Sequence, residues 1–240
     1  MNWLILAIAP GVAISSYIIL KDEYNREPRK HLLISFFLGV ISIVLAILLE
    51  LPLLWTNSNT FFNTTFGNAV KAFLLVALPE EIAKFIMLKA YAYRQPEFDE
   101  PFDGIVYAVM VGMGFATAEN IMYVYEYGVA TGIIRMFLAV PAHATFAIIM
   151  GYFMGKAKFS KSKELYLLFA GLTWAVVFHG SYDYFLFLKD AQHVKTEFSL
   201  LMLLGAVVSL LTGIILSRKA IAAHLEHSAA AHTIKTNDQD

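Results

Sequence analysis

Residues 198–217 read FSLLMLLGAVVSLLTGIILS, twenty positions without a charge, closed by Arg218 and Lys219. A helix rises about 1.5 Å per residue, so this stretch covers the roughly 30 Å of a bilayer's hydrocarbon. Outward from it, toward the N-terminus, six further apolar runs of similar length occur, at about 3–20, 32–53, 70–92, 104–126, 133–155 and 165–188. Seven such runs predict an all-α, polytopic transmembrane helical bundle. Composition agrees: 58% of the 240 residues are hydrophobic and 15% charged, against about 45–50% and 25% in soluble domains. No internal repeat or separate soluble domain is visible. Residues 1–219 are therefore expected to form one membrane domain, with a polar, mobile tail over 220–240. The first run has no basic segment before it, which argues against a cleaved signal peptide.

Charge and cysteine usage narrow the function. The net charge is -1 and no long basic run exists, so a nucleic-acid partner is not expected. The absence of cysteine excludes disulfides, thiolate metal sites and cysteine nucleophiles. Positive residues concentrate in alternate loops: Lys21, Arg26, Arg29 and Lys30 after the first run, Lys89 and Arg94 at and after the end of the third, Lys156 to Lys163 after the fifth, and Arg218 and Lys219 after the last, whereas 55–66 and 127–132 have none and 189–197 has Lys189 and Lys195. The positive-inside rule then places the N-terminus outside and the C-terminus in the cytoplasm.

The informative positions are those that interrupt the apolar runs. The third run contains Pro79-Glu80-Glu81-Ile82-Ala83-Lys84, the fourth Glu119-Asn120, the fifth His143, and the sixth His179 and Asp183. A charge at mid-bilayer costs roughly 2.5–3.5 kcal/mol even on the lenient insertion scale, and is tolerated where it faces the bundle interior, is paired and has a task. With alternating helix directions, Glu80, Glu81, His143 and His179 fall in one layer, between mid-membrane and the outer face. Glu119 and Asp183 lie somewhat further out. His179 and Asp183 are four residues apart and share a helix face; Glu80 and Glu81 both reach Lys84 at helical spacing. The two glutamates point about 100° apart, so one can face a reaction while the other pairs with Lys84. Pro79 lacks the N–H that would bond the Leu75 carbonyl and is expected to kink the run.

A buried glutamate can serve as a general base, and histidines can hold water, move protons or stabilise an oxyanion. Two histidines with one or two carboxylates also suit zinc with an open water position. Hydrolysis within the membrane, with or without metal, is one reading. A proton-coupled transporter or channel would use the same acids and histidines. Each residue alone also has a structural explanation: an ion pair between helices for Glu80, Glu81 and Lys84, or a buried hydrogen-bonded His143. Asp103 at the start of the fourth run is explained by helix capping, and Glu50, near the end of the second, by an interfacial position.

Several motifs stand in order along the chain: Ala9-Pro10-Gly11 with Tyr17, Asp22, Tyr24 and Glu27-Pro28; Pro79 to Lys84; Phe102-Asp103-Gly104; Gly114 to Asn120; His143 with Gly151 and Gly155; and His179-Gly180-Ser181-Tyr182-Asp183. Together they resemble the PrsW family of bacterial intramembrane proteases. The resemblance implies a multi-pass protease of the cytoplasmic membrane with Glu80 and Glu81 as its essential glutamates and His143 and His179 as its histidines. Lys84, Glu119, Asn120 and Asp183 support them. A divalent metal such as zinc on Glu80, Glu81, His143 and His179 is compatible with it. Its implied substrate is a single-span, membrane-anchored anti-sigma factor, cut near its outer side in the first step of a stress response.

Overall fold

A computed structural model describes residues 3–54, 59–191 and 196–237, and among these residues all regular structure is helical. The helices are α1 (Trp3–Lys21), α2 (Arg29–Leu54), the short α3 (Asn59–Phe62) and α4 (Thr65–Val70), α5 (Leu78–Ala90), α6 (Pro101–Tyr127), α7 (Val129–Phe137), α8 (Ala139–Lys158), α9 (Glu164–Asp190) and α10 (Ser199–Asn237). Six segments are long and apolar enough to cross a bilayer: α1, α2, α6, α7 with α8, α9 and α10. A seventh rod runs unbroken from α4 through a π-helical segment, Lys71–Ala77, into α5. Its charges lower its hydropathy, yet it occupies the place of the predicted third span.

The π segment answers the problem posed by Pro79. Proline offers no N–H to the helical ladder, and a wider turn just before it lets the backbone pair in another register. Accordingly the Leu78 N–H bonds the Phe73 carbonyl, five residues back. Glu80 and Glu81 follow in the first turn of α5.

Helix α6 is the centre of the bundle, packed by α1, α2 and α8. Its start is held by a reciprocal capping box between Glu100 and Asp103, as the sequence suggests for Asp103. Close approach of α6 to α8 depends on small residues: a Cβ on Gly104 would strike the Gly151 carbonyl and Gly155 backbone. The fifth predicted span is divided in two. Pro141 cannot bond the Phe137 carbonyl, and the chain turns at Leu138 between α7 and α8.

The C-terminal segment also differs from expectation. Where the sequence marks a polar tail from 220, α10 continues without a break to Asn237, and Ile221, His224 and Ser228 are buried. His224 stacks on Tyr152 of α8 at 4.5 Å, which fastens this extension to the bundle. Its 39 residues make a rod of about 58 Å, longer than the hydrocarbon is thick.

Candidate active site

Glu80, Glu81 and Lys84 lie one helical turn apart on α5, so the ammonium reaches both carboxylates. Lys84 Nζ is 2.7 Å from Glu81 Oε1 and 3.3 Å from Glu80 Oε2. It also lies 3.3 Å from His143 Nδ1 on α8 and 4.0 Å from the centre of the Phe115 ring. Lysine has only donors, so the His143 Nδ1 lone pair accepts. The other nitrogen of that ring, Nε2, is 2.8 Å from Glu119 Oε2 on α6 and donates to it. These two contacts fix both the tautomer and the plane of His143.

His179 on α9 lies between carboxylates. Its Nδ1 is 2.9 Å from Glu81 Oε1; its Nε2 is 3.3 Å from Asp183 Oδ2 and 3.9 Å from Glu80 Oε2. A doubly protonated ring satisfies this arrangement with two donors. Phe146 stacks on the imidazole at 4.7 Å, and the two histidine rings meet edge to face at 5.1 Å.

Three helices thus bring Glu80, Glu81, Lys84, His143 and His179 into one cluster, all buried, and α6 adds Glu119. The spacing-based pairings, His179 with Asp183 and both glutamates with Lys84, are observed. Asn120 stands behind the cluster rather than in it: its Nδ2 donates to the Ala7 carbonyl of α1, and its Oδ1 accepts from Arg135 Nε. Ser181 donates to the Val177 carbonyl of its own helix. A cavity of about 460 Å³ opens onto the cluster. Glu80, Glu119, His143, His179 and Asp183 line it, whereas Glu81 is fully buried behind. Glu50 of α2 lines this cavity too, although its sequence position suggests an interface.

Sequence reading missed Arg135. It reaches in from α7 and makes an ion pair with Glu119 at 2.7 Å, without hydrogen-bond alignment for that nitrogen. Its guanidinium also covers the Tyr123 ring at 3.9 Å. The one signal was a lone charge in an apolar run, weakened by its place near the start of that run, where charges are ordinary. Phe115 and Phe146 could not be found this way, since an aromatic residue in a membrane helix has no distinguishing pattern.

The donor set can hold a metal. Glu80, Glu81, His143 and His179 each offer a ligand atom, and these atoms lie within 4.8 Å of one another. Glu81 Oε2 is buried without a hydrogen-bond partner. Two imidazoles and two carboxylates are ordinary zinc ligands. The Lys84 ammonium already touches three of the four residues, so it and a divalent ion would share the same donors.

Comparison with known proteins identifies the family. Residues 27–214 match the family model described as PrsW family intramembrane metalloprotease. The chain is 42% identical over 184 residues to the protease PrsW of Geobacillus kaustophilus, covering 76% of this chain and 79% of that one. It is 39% identical over 180 residues to the protease PrsW of Bacillus subtilis, covering 75% and 80%. With the protease PrsW of Shouchella clausii it shares 35% identity over 186 residues. No solved structure matches.

Proposed function

Since the chain belongs to the PrsW family of intramembrane proteases, a multi-pass enzyme whose substrate lies in the membrane, we propose that it hydrolyses its substrate's peptide bond at the Glu80–Glu81–His143–His179 cluster. The observation that carries this reading is the meeting of acids and imidazoles from α5, α8 and α9 beside a cavity. In this reading Glu80, on the cavity wall, is the general base. It takes a proton from water as the water oxygen attacks the scissile carbonyl carbon. His179, 3.9 Å from Glu80 Oε2, gives a proton to the leaving nitrogen as the C–N bond breaks. Lys84 supplies positive charge against the developing oxyanion, and Arg135 acts through Glu119, which orients His143. Glu81 is a positioning residue, holding Lys84 and His179 through one oxygen. Where a divalent metal is bound, Glu80, Glu81, His143 and His179 would be its ligands, and it would supply Lewis-acid polarisation.

The proposed substrate is a single-span membrane protein of the anti-sigma factor class, as the resemblance implies. The outside N-terminus given by the loop charges would put the cluster toward the outer leaflet. Co-expression with such a substrate tests the site. Glu80→Gln and Glu81→Gln are each expected to leave the protein inserted in the membrane while cleavage disappears. Undiminished cleavage by both variants would reject the assignment.

A further inference from the structure

A second group of acids lies away from the cavity, where the α1–α2 loop meets the start of α6. None of its members takes part in the chemistry above. Asp22, Glu27 and Asp103 are 2%, 7% and 0% exposed. Carboxylate oxygens of Asp22, Glu100 and Asp103 lie within 4.8 Å of one another. Each of the three buried acids is anchored through one oxygen. Asp22 Oδ2 accepts the Glu27 N–H at 3.0 Å. Asp103 Oδ2 accepts the Asp99 and Glu100 N–H groups at 2.9 and 2.8 Å. Glu27 Oε2 accepts from the Tyr107 hydroxyl.

The second oxygen of each, Asp22 Oδ1, Glu27 Oε1 and Asp103 Oδ1, is buried and has no hydrogen-bond partner. Among the described residues no ion pair joins these three to a lysine or arginine. Buried carboxylate oxygens normally find a donor or a cation, because leaving them unpaired costs about 1–3 kcal/mol each and more when charged. The Glu27 and Asp103 carboxyl groups stand within hydrogen-bonding reach of each other, so this group of acids must take up either a proton or a cation.

We propose that Asp22, Glu100 and Asp103, with Glu27 beside them, bind a hard divalent cation, Mg²⁺ or Ca²⁺, that fastens the α1–α2 loop to the first turn of α6. An all-oxygen donor set selects this class over zinc or copper. The hydrogen bonds already made hold the carboxylates in place, so binding needs little rearrangement. The Asn25 amide, which donates to Asp99 Oδ1 at 2.7 Å, ties the same two loops at their exposed edge.

The test uses the purified full-length protein, stripped with a chelator and titrated separately with Mg²⁺ and with Ca²⁺ while its melting temperature is followed. One of the two ions is expected to raise the melting temperature saturably in the wild type and in Glu81→Gln, whose substitution weakens the other possible metal site. Asp22→Asn and Asp103→Asn keep the backbone hydrogen bonds and are expected to bind at least about tenfold more weakly, since affinity follows ligand charge. If either fails to fold, Glu100→Gln carries the same comparison. A wild-type melting temperature indifferent to both ions would overturn the proposal. So would a response that persists in the Asn variants and vanishes in Glu81→Gln.

Discussion

The molecule buries two groups of carboxylates and treats them in opposite ways. Around α5 four acids meet a cation or an imidazole: Glu80 and Glu81 share Lys84, Glu119 takes Arg135 and His143, and Asp183 takes His179. At the start of α6 the acids face one another and their outer oxygens are unmatched. Charge in a low-dielectric setting is tolerated when compensated, and removing one partner of a buried pair costs about 3–5 kcal/mol. The first group therefore carries its compensation within the chain and can lend it to a reaction. The second group has its compensation outside the chain.

The contrast is broken most severely at the first group. Removing the proton-accepting oxygen in Glu80→Gln is expected to lower cleavage by at least about 10²-fold, the scale of general-base catalysis. Glu81→Gln should lower cleavage as far and also reduce the melting temperature, because Lys84 and His179 lose a shared anchor. Equal melting temperatures for the two variants would argue against the division of roles between them.

Arg135→Gln probes the compensation one step further out. Arg135 acts through Glu119 on His143, so kcat is expected to fall about 10–100-fold, the usual cost of losing an outer partner, with KM little changed. Arg135→Lys should restore part of the loss, which a merely structural contact with Asn120 or Tyr123 would not require. A smaller effect is expected from Phe115→Leu. Its ring under the Lys84 ammonium contributes about 0.5–2 kcal/mol, so the melting temperature should drop modestly while cleavage stays within about tenfold. At the second group, Asp22→Asn is expected to change cleavage least of all and to register in the response to Mg²⁺ or Ca²⁺.

The same contrast explains what could be read in advance. Glu80, Glu81, His143 and His179 stood out because ionisable residues are rare in apolar runs, and their common depth followed from counting residues along alternating helices. Asp22, Glu27 and Asp103 lie near the ends of their runs, where acids are ordinary, so only the folded chain reveals that they are buried together. Arg135 was hidden for a related reason: it falls near the start of the fifth run, and the turn at Leu138 that aims α7 at the cavity depends on Pro141. The helical continuation of α10 was equally hidden. Its last turns are rich in alanine and histidine rather than leucine, and their hold on the bundle depends on the stacking of His224 against Tyr152.

Hydrolysis in the cavity beside Glu80 is open to a direct test, because the chain contains no cysteine. Val76 lines that cavity, whereas Val208 of α10 is 60% exposed on the outside of the bundle. Val76→Cys and Val208→Cys proteins would be reconstituted with a single-span substrate and treated with a hydrophilic thiol reagent. The expected result is that Val76→Cys is labelled and its cleavage stops, while Val208→Cys is left unlabelled by the lipid around it and continues to cleave. Full cleavage by the labelled Val76→Cys protein would contradict the claim.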